Sequence, residues 1–343
     1  MVEQISARLL GLGAVALVAL LISSGLIILL RPWLARHAVA NPNARSSHQK
    51  PTPQGGGIGV VLAILAVSWP AIVFSAGVSQ NEAGQFLAVT VATVLLAVIG
   101  AIDDVRSAPL GVRLIVQCVA VLAVITWLPE SLRILPSFPF WVERVGLFVA
   151  GVWFVNLVNF MDGIDWMTVA EFVPVTAAIL LAGACGAIGL IPTLVAAALL
   201  GAVVGFAPFN KPTAQIFLGD AGSLPLALLL GWLLLQLVER GHVAAALILP
   251  LYYLADATIT LLYRMTRGDP FWSAHRMHFY QRAIYNRFTV SAIVARVFLL
   301  NVVLAALALF SVAADTLATS LGSLVAAMAA LAWLLATFAR SKH

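Results

Sequence analysis

Charge is scarce in this sequence. Only 10% of its 343 residues are charged, against 62% that are hydrophobic, which excludes a sizeable solvated domain or a disordered tail. Cysteine is scarcer still. Cys118 and Cys185 lie in or near apolar runs without metal-ligand spacing, so they read as small buried hydrophobes rather than a disulfide or zinc framework. A glycine run at 55–57 has no Gly-Lys-Ser/Thr behind it, so it is not a Walker-type phosphate loop. Low-complexity linkers and fixed-period repeats are missing too.

What fills the chain is apolar runs near the ~20 residues that cross a bilayer. They predict eleven helices, at 8–30, 57–79, 86–102, 111–128, 141–158, 166–183, 186–206, 222–238, 243–263, 289–313 and 317–338. Short, even loops make residues 1–343 a single polytopic domain, an all-α integral membrane fold. The first run is long, is followed by Arg31 and has no small-residue cleavage site, so it is expected to be retained as a helix.

Positive charge sets the expected orientation. Fourteen Lys and Arg, from Arg31 to Lys342, fall in loops on one side; Arg8, Arg133, Arg144 and Arg240 fall on the other, and Arg296 lies inside the tenth run. The basic side is expected to be cytoplasmic, with the N-terminus periplasmic and the C-terminus cytoplasmic. That side also collects Asp103, Asp104, Asp162, Asp165, Asp220 and Asp269. Glu3, Glu82, Glu130, Glu143, Glu239 and Asp315 fall outside, as solvated loop charges. Six Asp residues among fourteen cations suit a divalent metal and a polyanionic substrate at the membrane surface. The net charge of +5 is explained by the same bias and calls for no nucleic acid.

Three acidic clusters carry the chemistry. Asp103-Asp104 ends the third run, where the helix dipole disfavours carboxylates and compensation must come from a metal or from Arg106 and Arg113. Ser107 stands at the fifth position, so the pair is not the Asp-Asp-x-x-Asp of prenyl-diphosphate chemistry. Asn156-x-x-Asn159 is followed by Asp162-Gly-Ile-Asp165; three-residue spacing puts the two amides on one helical face. Asp220, in Phe217-Leu-Gly-Asp-Ala-Gly-Ser223, precedes the eighth run. It is able to cap that helix and to hold phosphate there, since a helix start attracts anions. Asn210 and Lys211 add an amide and a cation before it.

Two further segments are basic. His275-Arg276-Met-His278 has no third ligand for zinc; it suits lipid headgroups or, through Arg276, a diphosphate. Arg45-Ser-Ser-His-Gln-Lys50-Pro-Thr-Pro-Gln-Gly-Gly-Gly pairs cations with glycines that also permit close helix packing. Inside the membrane, Glu171 and Asp256 read equally as satisfied interhelical contacts and as substrate groups, with Asp256 able to brace Arg264.

Together these segments resemble the polyprenyl-phosphate N-acetylhexosamine-1-phosphate transferases, glycosyltransferase family 4. The matching pieces are Pro-Thr-Pro-Gln-Gly-Gly-Gly, Ile-Asp-Asp, Asn-x-x-Asn-Phe-Met-Asp-Gly-Ile-Asp, Phe-Leu-Gly-Asp-Ala-Gly-Ser and His-Arg-Met-His. They stand in the family's order and cover the chain from 45 to about 282. Trp166 departs from the pattern, since a glycine usually follows Asp-Gly-x-Asp. Arg113 stands where the family often has Lys. His-Arg-Met-His differs from the clustered histidines of the peptidoglycan translocase branch and looks more like the undecaprenyl-phosphate GlcNAc-1-phosphate, or O-antigen, branch.

The resemblance implies transfer of a HexNAc-1-phosphate, of GlcNAc or a 6-deoxy sugar, from a UDP-sugar to undecaprenyl phosphate in the bacterial inner membrane, with release of UMP. It implies magnesium, or manganese in its place, on Asp220 and Asn159. It gives Asp103, Asp104 and Asp162 catalytic positions. Lys50, Arg113, Asn156, Asp165, Asn210, His275, Arg276 and His278 would contact substrate. Glycine- and alanine-rich helix faces suit a homodimer and internal packing alike. A secondary transporter is the main alternative, although transporters hold their polar sites near the bilayer midplane. A CDP-alcohol phosphotransferase would need Ala-Arg after Asp162-Gly163, which is absent.

Overall fold

The computed structural model describes residues 2–40, 51–75, 78–269 and 276–340. The helices are α1 (Val2–His37), α2 (Gly57–Val73), α3 (Gln80–Arg106), α4 (Leu110–Thr126), α5 (Phe140–Met161), α6 (Met167–Ala184), α7 (Leu190–Asn210), α8 (Asp220–Glu239), α9 (Val243–Ile248), α10 (Leu251–Thr266), α11 (Phe279–Tyr285), α12 (Val290–Ala314) and α13 (Leu317–Ala339). Eight described helices are long and apolar enough to cross a membrane, and α2 and α4 are shorter apolar helices. The chain is thus an all-α, multi-pass membrane protein.

Each of the eleven expected runs has a helical counterpart. The first helix runs on to His37 rather than 30 and the second stops at Val73 rather than 79. Two further corrections have a local cause. The run expected at 243–263 is not one helix: it breaks at Leu249-Pro250 into α9 and α10, because proline removes a donor and crowds the preceding turn. The third helix begins at Gln80 rather than at 86. Ser79 and Glu82 form a reciprocal capping box there, satisfying two otherwise orphaned amides. Glu82 is therefore a helix-start residue and not a loop charge.

The centre of the bundle is α6, α7 and α8. About four-fifths of each apolar stretch is buried there (78%, 78% and 83%), against 22–39% for α1, α3, α5, α12 and α13. Glycine sets the closest helix crossings. A Cβ at Gly201 of α7 would lie 1.9 Å from the Ala16 carbonyl of α1, and Ser23 donates across the same seam to Ala202 O at 2.8 Å. At the start of α2, a Cβ on Gly57 would come within 2.1 Å of Gly222 Cα in α8. These contacts seat α8 deep in the molecule with its first turn against α2 and α3. That first turn carries Asp220.

Loops reinforce this end. Residues 39–40 pair antiparallel with 52–53. From there, Gly56 N and Gly57 N donate to Phe217 O and Leu218 O, both at 2.9 Å, and Phe217 N donates back to Pro53 O at 2.8 Å. The glycine-run segment and the segment before Asp220, distant in sequence, are thereby stitched together.

Candidate active site

The ends of α3, α4, α5 and α8 converge on one polar cluster. Its centre is Arg113, near the start of α4. One guanidinium nitrogen lies 2.8 Å from Asp103 Oδ2 and another 2.7 Å from Asp220 Oδ2, so the planar fork gives each carboxylate a donor of its own. On the far side of Asp220, Asn159 Nδ2 donates to Asp220 Oδ1 and to Ser223 Oγ, both at 2.8 Å.

Asp104 plays a different part from its neighbour. Its carboxylate accepts from Asp220 N at 2.9 Å and from Ala221 N at 3.1 Å, so it caps α8 from outside. Asp220 does not cap its own helix; the cap position is Gly219, at φ 74°. A side chain there would be strained by that φ and would also strike Asp104, whose Oδ2 lies 2.3 Å from a Cβ built on Gly219. The compensation that Asp104 requires at the end of α3 thus comes from the amides opening α8. Gln54 donates to the Asp104 carbonyl at 2.7 Å, which draws the glycine-run segment into the cluster.

Asp162 and Asp165 do not share a helical face, because α5 ends at Met161. Asp162 follows as the cap residue and accepts a short hydrogen bond from the Thr168 hydroxyl. Burial pushes its carboxyl up to about 7; the Thr168 bond opposes this, and the Asp220, Asp104 and Asp165 carboxylates add to it. Asp165 turns away, to accept from Ala214 N at 3.0 Å. Asn210 is likewise engaged by backbone: Oδ1 accepts from Trp166 N at 2.8 Å and Nδ2 donates to Ile216 O at 3.0 Å. Both residues hold the 210–216 loop against the start of α6. Trp166 has φ 62°, the left-handed region that makes glycine the easy choice here. Its indole donates to Ala207 O at 2.6 Å, anchoring the ring that a glycine lacks.

Asn156 donates to Gln117 Oε1 of α4 at 2.8 Å, so the two amides of Asn-x-x-Asn serve different neighbours. His278 is buried and starts α11, its Nδ1 lying 3.2 Å from Asp256 Oδ1. Asp256 also accepts from Phe279 N at 2.9 Å and Tyr280 N at 3.2 Å. This intramembrane acid therefore organises the His-Arg-Met-His segment. Arg276 donates to the Tyr285 hydroxyl at 3.0 Å. Tyr280 reaches back to Phe160 O at 3.2 Å and lies where a Cβ on Gly163 would be, 2.0 Å from its hydroxyl. Lys50 and His275 lie outside the described residues.

Sequence reasoning passed over Gln54, Gln117, Thr168 and Ser223, although a glutamine inside the apolar α4 was a usable signal. Glu171 is paired with Asn301 of α12 at 2.7 Å, an interhelical contact.

One to about two helical turns from the cluster, an apolar groove of about 290 Å³ opens between α4, α5, α8 and α10. Val155, next to Asn156, and Val121, two turns past Arg113, line its near end, and Leu235 and Val238 line it further along α8. Trp153 Nε1 donates to Thr258 Oγ1 at 3.1 Å, tying two of its walls.

Among the described residues no three His, Cys, Asp or Glu side chains converge as a ready metal cage. Hard oxygen donors are present nonetheless. Asp103, Asp104, Asp162 and Asp220 crowd one region with Arg113 as the cation bridging two of them. Magnesium typically takes one or two carboxylates and completes its shell with water and substrate phosphate, so this donor set fits it.

Residues 86–238, the stretch holding all of these acids but Asp256, match the family model for glycosyl transferase family 4. That match takes in a little under half of the chain. Among curated relatives the chain is 25% identical over 283 residues to a probable undecaprenyl-phosphate N-acetylglucosaminyl 1-phosphate transferase of Bacillus subtilis, covering 77% of this chain and 76% of that one. It is 32% identical over 227 residues to a decaprenyl-phosphate N-acetylglucosaminephosphotransferase of Mycolicibacterium smegmatis, covering 57% and 52%. A phospho-N-acetylmuramoyl-pentapeptide-transferase of Leuconostoc mesenteroides is 32% identical over 197 residues, covering 51% and 59%. The aligned chain thus spans between about half and three-quarters of the length of these relatives.

Proposed function

We propose that this protein transfers an N-acetylhexosamine-1-phosphate from a UDP-sugar to undecaprenyl phosphate, releasing UMP and starting a cell-surface polysaccharide of the O-antigen kind. The observation that carries the reading is the Asp103–Arg113–Asp220–Asn159 cluster, with an apolar groove that begins one to about two helical turns further along α4, α5 and α8. The cluster suits phosphates and the groove suits a prenyl chain. We place the cluster at the cytoplasmic face of a bacterial inner membrane, where a soluble nucleotide and a membrane-held phosphate can meet.

In the reaction an oxygen of the prenyl phosphate attacks the β-phosphorus of the UDP-sugar. The bond from that phosphorus to the bridging oxygen breaks, and UMP leaves with the electron pair. A phosphate monoester has a second pKa of about 6, so the nucleophile needs no strong base. The residues instead supply position and opposite charge. Magnesium, or manganese, held by Asp220 with Asn159, would neutralise charge on the diphosphate. Arg113 steadies Asp103 and Asp220, and Asp104 fixes the helix start on which Asp220 rides. Asp162 stands at the edge of this group to orient the attacking phosphate. His278 and Arg276 face the substrate on a segment set by Asp256, while Asp165 and Asn210 shape the loop around the nucleotide. Displacement is direct, without a phospho-aspartyl enzyme.

The test is UMP release by membranes containing the protein, supplied with magnesium, undecaprenyl phosphate and a panel of UDP-N-acetylhexosamines. Transport is the competing reading. The polar cluster lies at helix ends and away from the middle of the spans, which counts against it. Electrogenic uptake into vesicles without UMP release would favour it.

A further inference from the structure

The far end of the bundle carries a second polar concavity. α3 and α8 run antiparallel: Asp104 meets Asp220 at one end, and Glu82 neighbours Glu239 and Arg240 at the other. At about 1.5 Å per residue, the length of α8 puts this end roughly 28 Å from Asp220. A pocket of about 360 Å³ opens there between the starts of α3 and α7 and the ends of α4 and α8. That volume falls in the range of small-ligand sites.

The pocket wall has features that an interfacial belt or a solvated loop does not require. Trp127 is half exposed and lodged on Gly84, where any Cβ would sit 2.5 Å from the indole ring. Its backbone carbonyl accepts from Gln85 at 3.2 Å. The ring is therefore a fixed aromatic plate at the rim. Deeper in the wall lie Trp232 and Gln236, 1% and 8% exposed. Neither the indole Nε1 of Trp232 nor the Nε2 of Gln236 has a hydrogen-bond acceptor among the described residues. Each of these two atoms has under 1 Å² of exposed surface, so they belong to the wall behind the lining, and the polar groups that reach the cavity are those of the other lining residues. Acceptors are close by. Glu82 commits Oε2 to the Ser79 cap, while its Oε1 approaches the pocket wall at Gly189. Glu239 and the cation Arg240 complete the lining.

We infer that this pocket binds an uncharged, hydroxyl-rich ring, a saccharide. The Trp127 plate takes the apolar face of such a ring, and intermingled donors and acceptors take its hydroxyls. Two carboxylates against one guanidinium disfavour a phosphate or sulfate. On the orientation proposed above, the site faces outward and is separate from the place where the nucleotide sugar reacts. The saccharide comes either free or as the head of a glycolipid.

The test uses the full chain in phosphatidylcholine nanodiscs, which exclude sugar-headed detergents. In one arm, saturation-transfer NMR reads binding of N-acetylglucosamine and methyl glucoside, with and without excess UMP. In the other, native mass spectrometry reads retention of a monoglucosyl diacylglycerol mixed into the discs. Binding in either arm should persist under UMP. It should weaken about tenfold in Trp127→Ala, the scale of one lost aromatic contact, weaken also in Glu239→Gln, and return in Trp127→Phe. A soluble-arm signal names a free sugar, and a signal confined to the lipid arm names a glycolipid. Absence of binding in both arms overturns the inference, as does binding displaced by UMP or unchanged in Trp127→Ala and Glu239→Gln. UMP release by the same preparations tests the reaction centre separately, so either reading can fail alone.

Discussion

Arg113 holds together two carboxylates that come from different helices. Its fork spans Asp103 and Asp220 with a separate nitrogen for each, a fixed two-point geometry that a flexible ammonium does not reproduce. Arg113→Lys is therefore expected to lower kcat for UMP release by roughly tenfold to a hundredfold, with Arg113→Ala lower still and folding retained. Equal rates in Lys and wild type would show that charge alone suffices. Trp166 gives a second residue-level expectation. At φ 62° a glycine avoids strain of about 1 kcal/mol that alanine meets, so Trp166→Gly should unfold at a higher temperature than Trp166→Ala. Asp162 gives a third. Its folded value of about 7 lies above the ordinary carboxylate value of 3.8, so the native state keeps this proton longer than the unfolded chain does. The stability it contributes is full at low pH and is lost as pH rises between those values. In magnesium-free nanodiscs, Asp162→Asn should flatten that part of the Tm-against-pH curve, and an unchanged slope would contradict the assignment.

At the scale of elements, the site depends on how α3 and α8 meet. A Cβ on Gly100 of α3 would sit 2.3 Å from the Asp220 carbonyl carbon, and backbone cannot yield as a flexible side chain would. Gly100→Ala should separate the helix start from Asp104, cost about 1–3 kcal/mol and remove activity together with the Asp104 cap. Asp256→Asn acts through a different element. It loosens His278 and the start of α11, and should raise KM for the nucleotide sugar more than it lowers kcat.

Much of this was legible in the sequence, and the exceptions have physical causes. Apolar runs report burial in lipid, so the helices were readable; hydropathy does not register an interruption, so the Pro250 break between α9 and α10 was not. Asp103, Asp104, Asn159 and Asp220 stood out as polar groups at run ends. Their division of labour did not, because Asp104 finds its partners more than a hundred residues away, in the amides of α8. Asp256 was visible as an intramembrane acid, but its tie to 278–280 depends on a fold-back that no local pattern announces. Asn210 and Asp165 looked like substrate groups, yet in the fold they bind backbone.

At the scale of the whole molecule, the buried trio α6, α7 and α8 is surrounded by outer helices. The polar cluster gathers where α8 meets α3, α4 and α5, and an apolar groove lines α8 from Ala227 to Val238. On the proposed function, this arrangement would bring a polar reaction and a hydrocarbon substrate to neighbouring parts of one bundle. The central claim is that the Asp220 cluster performs sugar-phosphate transfer to a prenyl phosphate. The direct measurement is UMP released from a panel of UDP-N-acetylhexosamines by membranes containing wild type and Asp220→Asn, with magnesium and undecaprenyl phosphate present. The account predicts UMP and a lipid-linked sugar phosphate in equal amounts for one donor, dependent on magnesium and lost in Asp220→Asn. Folded wild-type protein that releases no UMP from the panel or from native sugar-nucleotide extracts, or an Asp220→Asn variant as active as wild type, would contradict it.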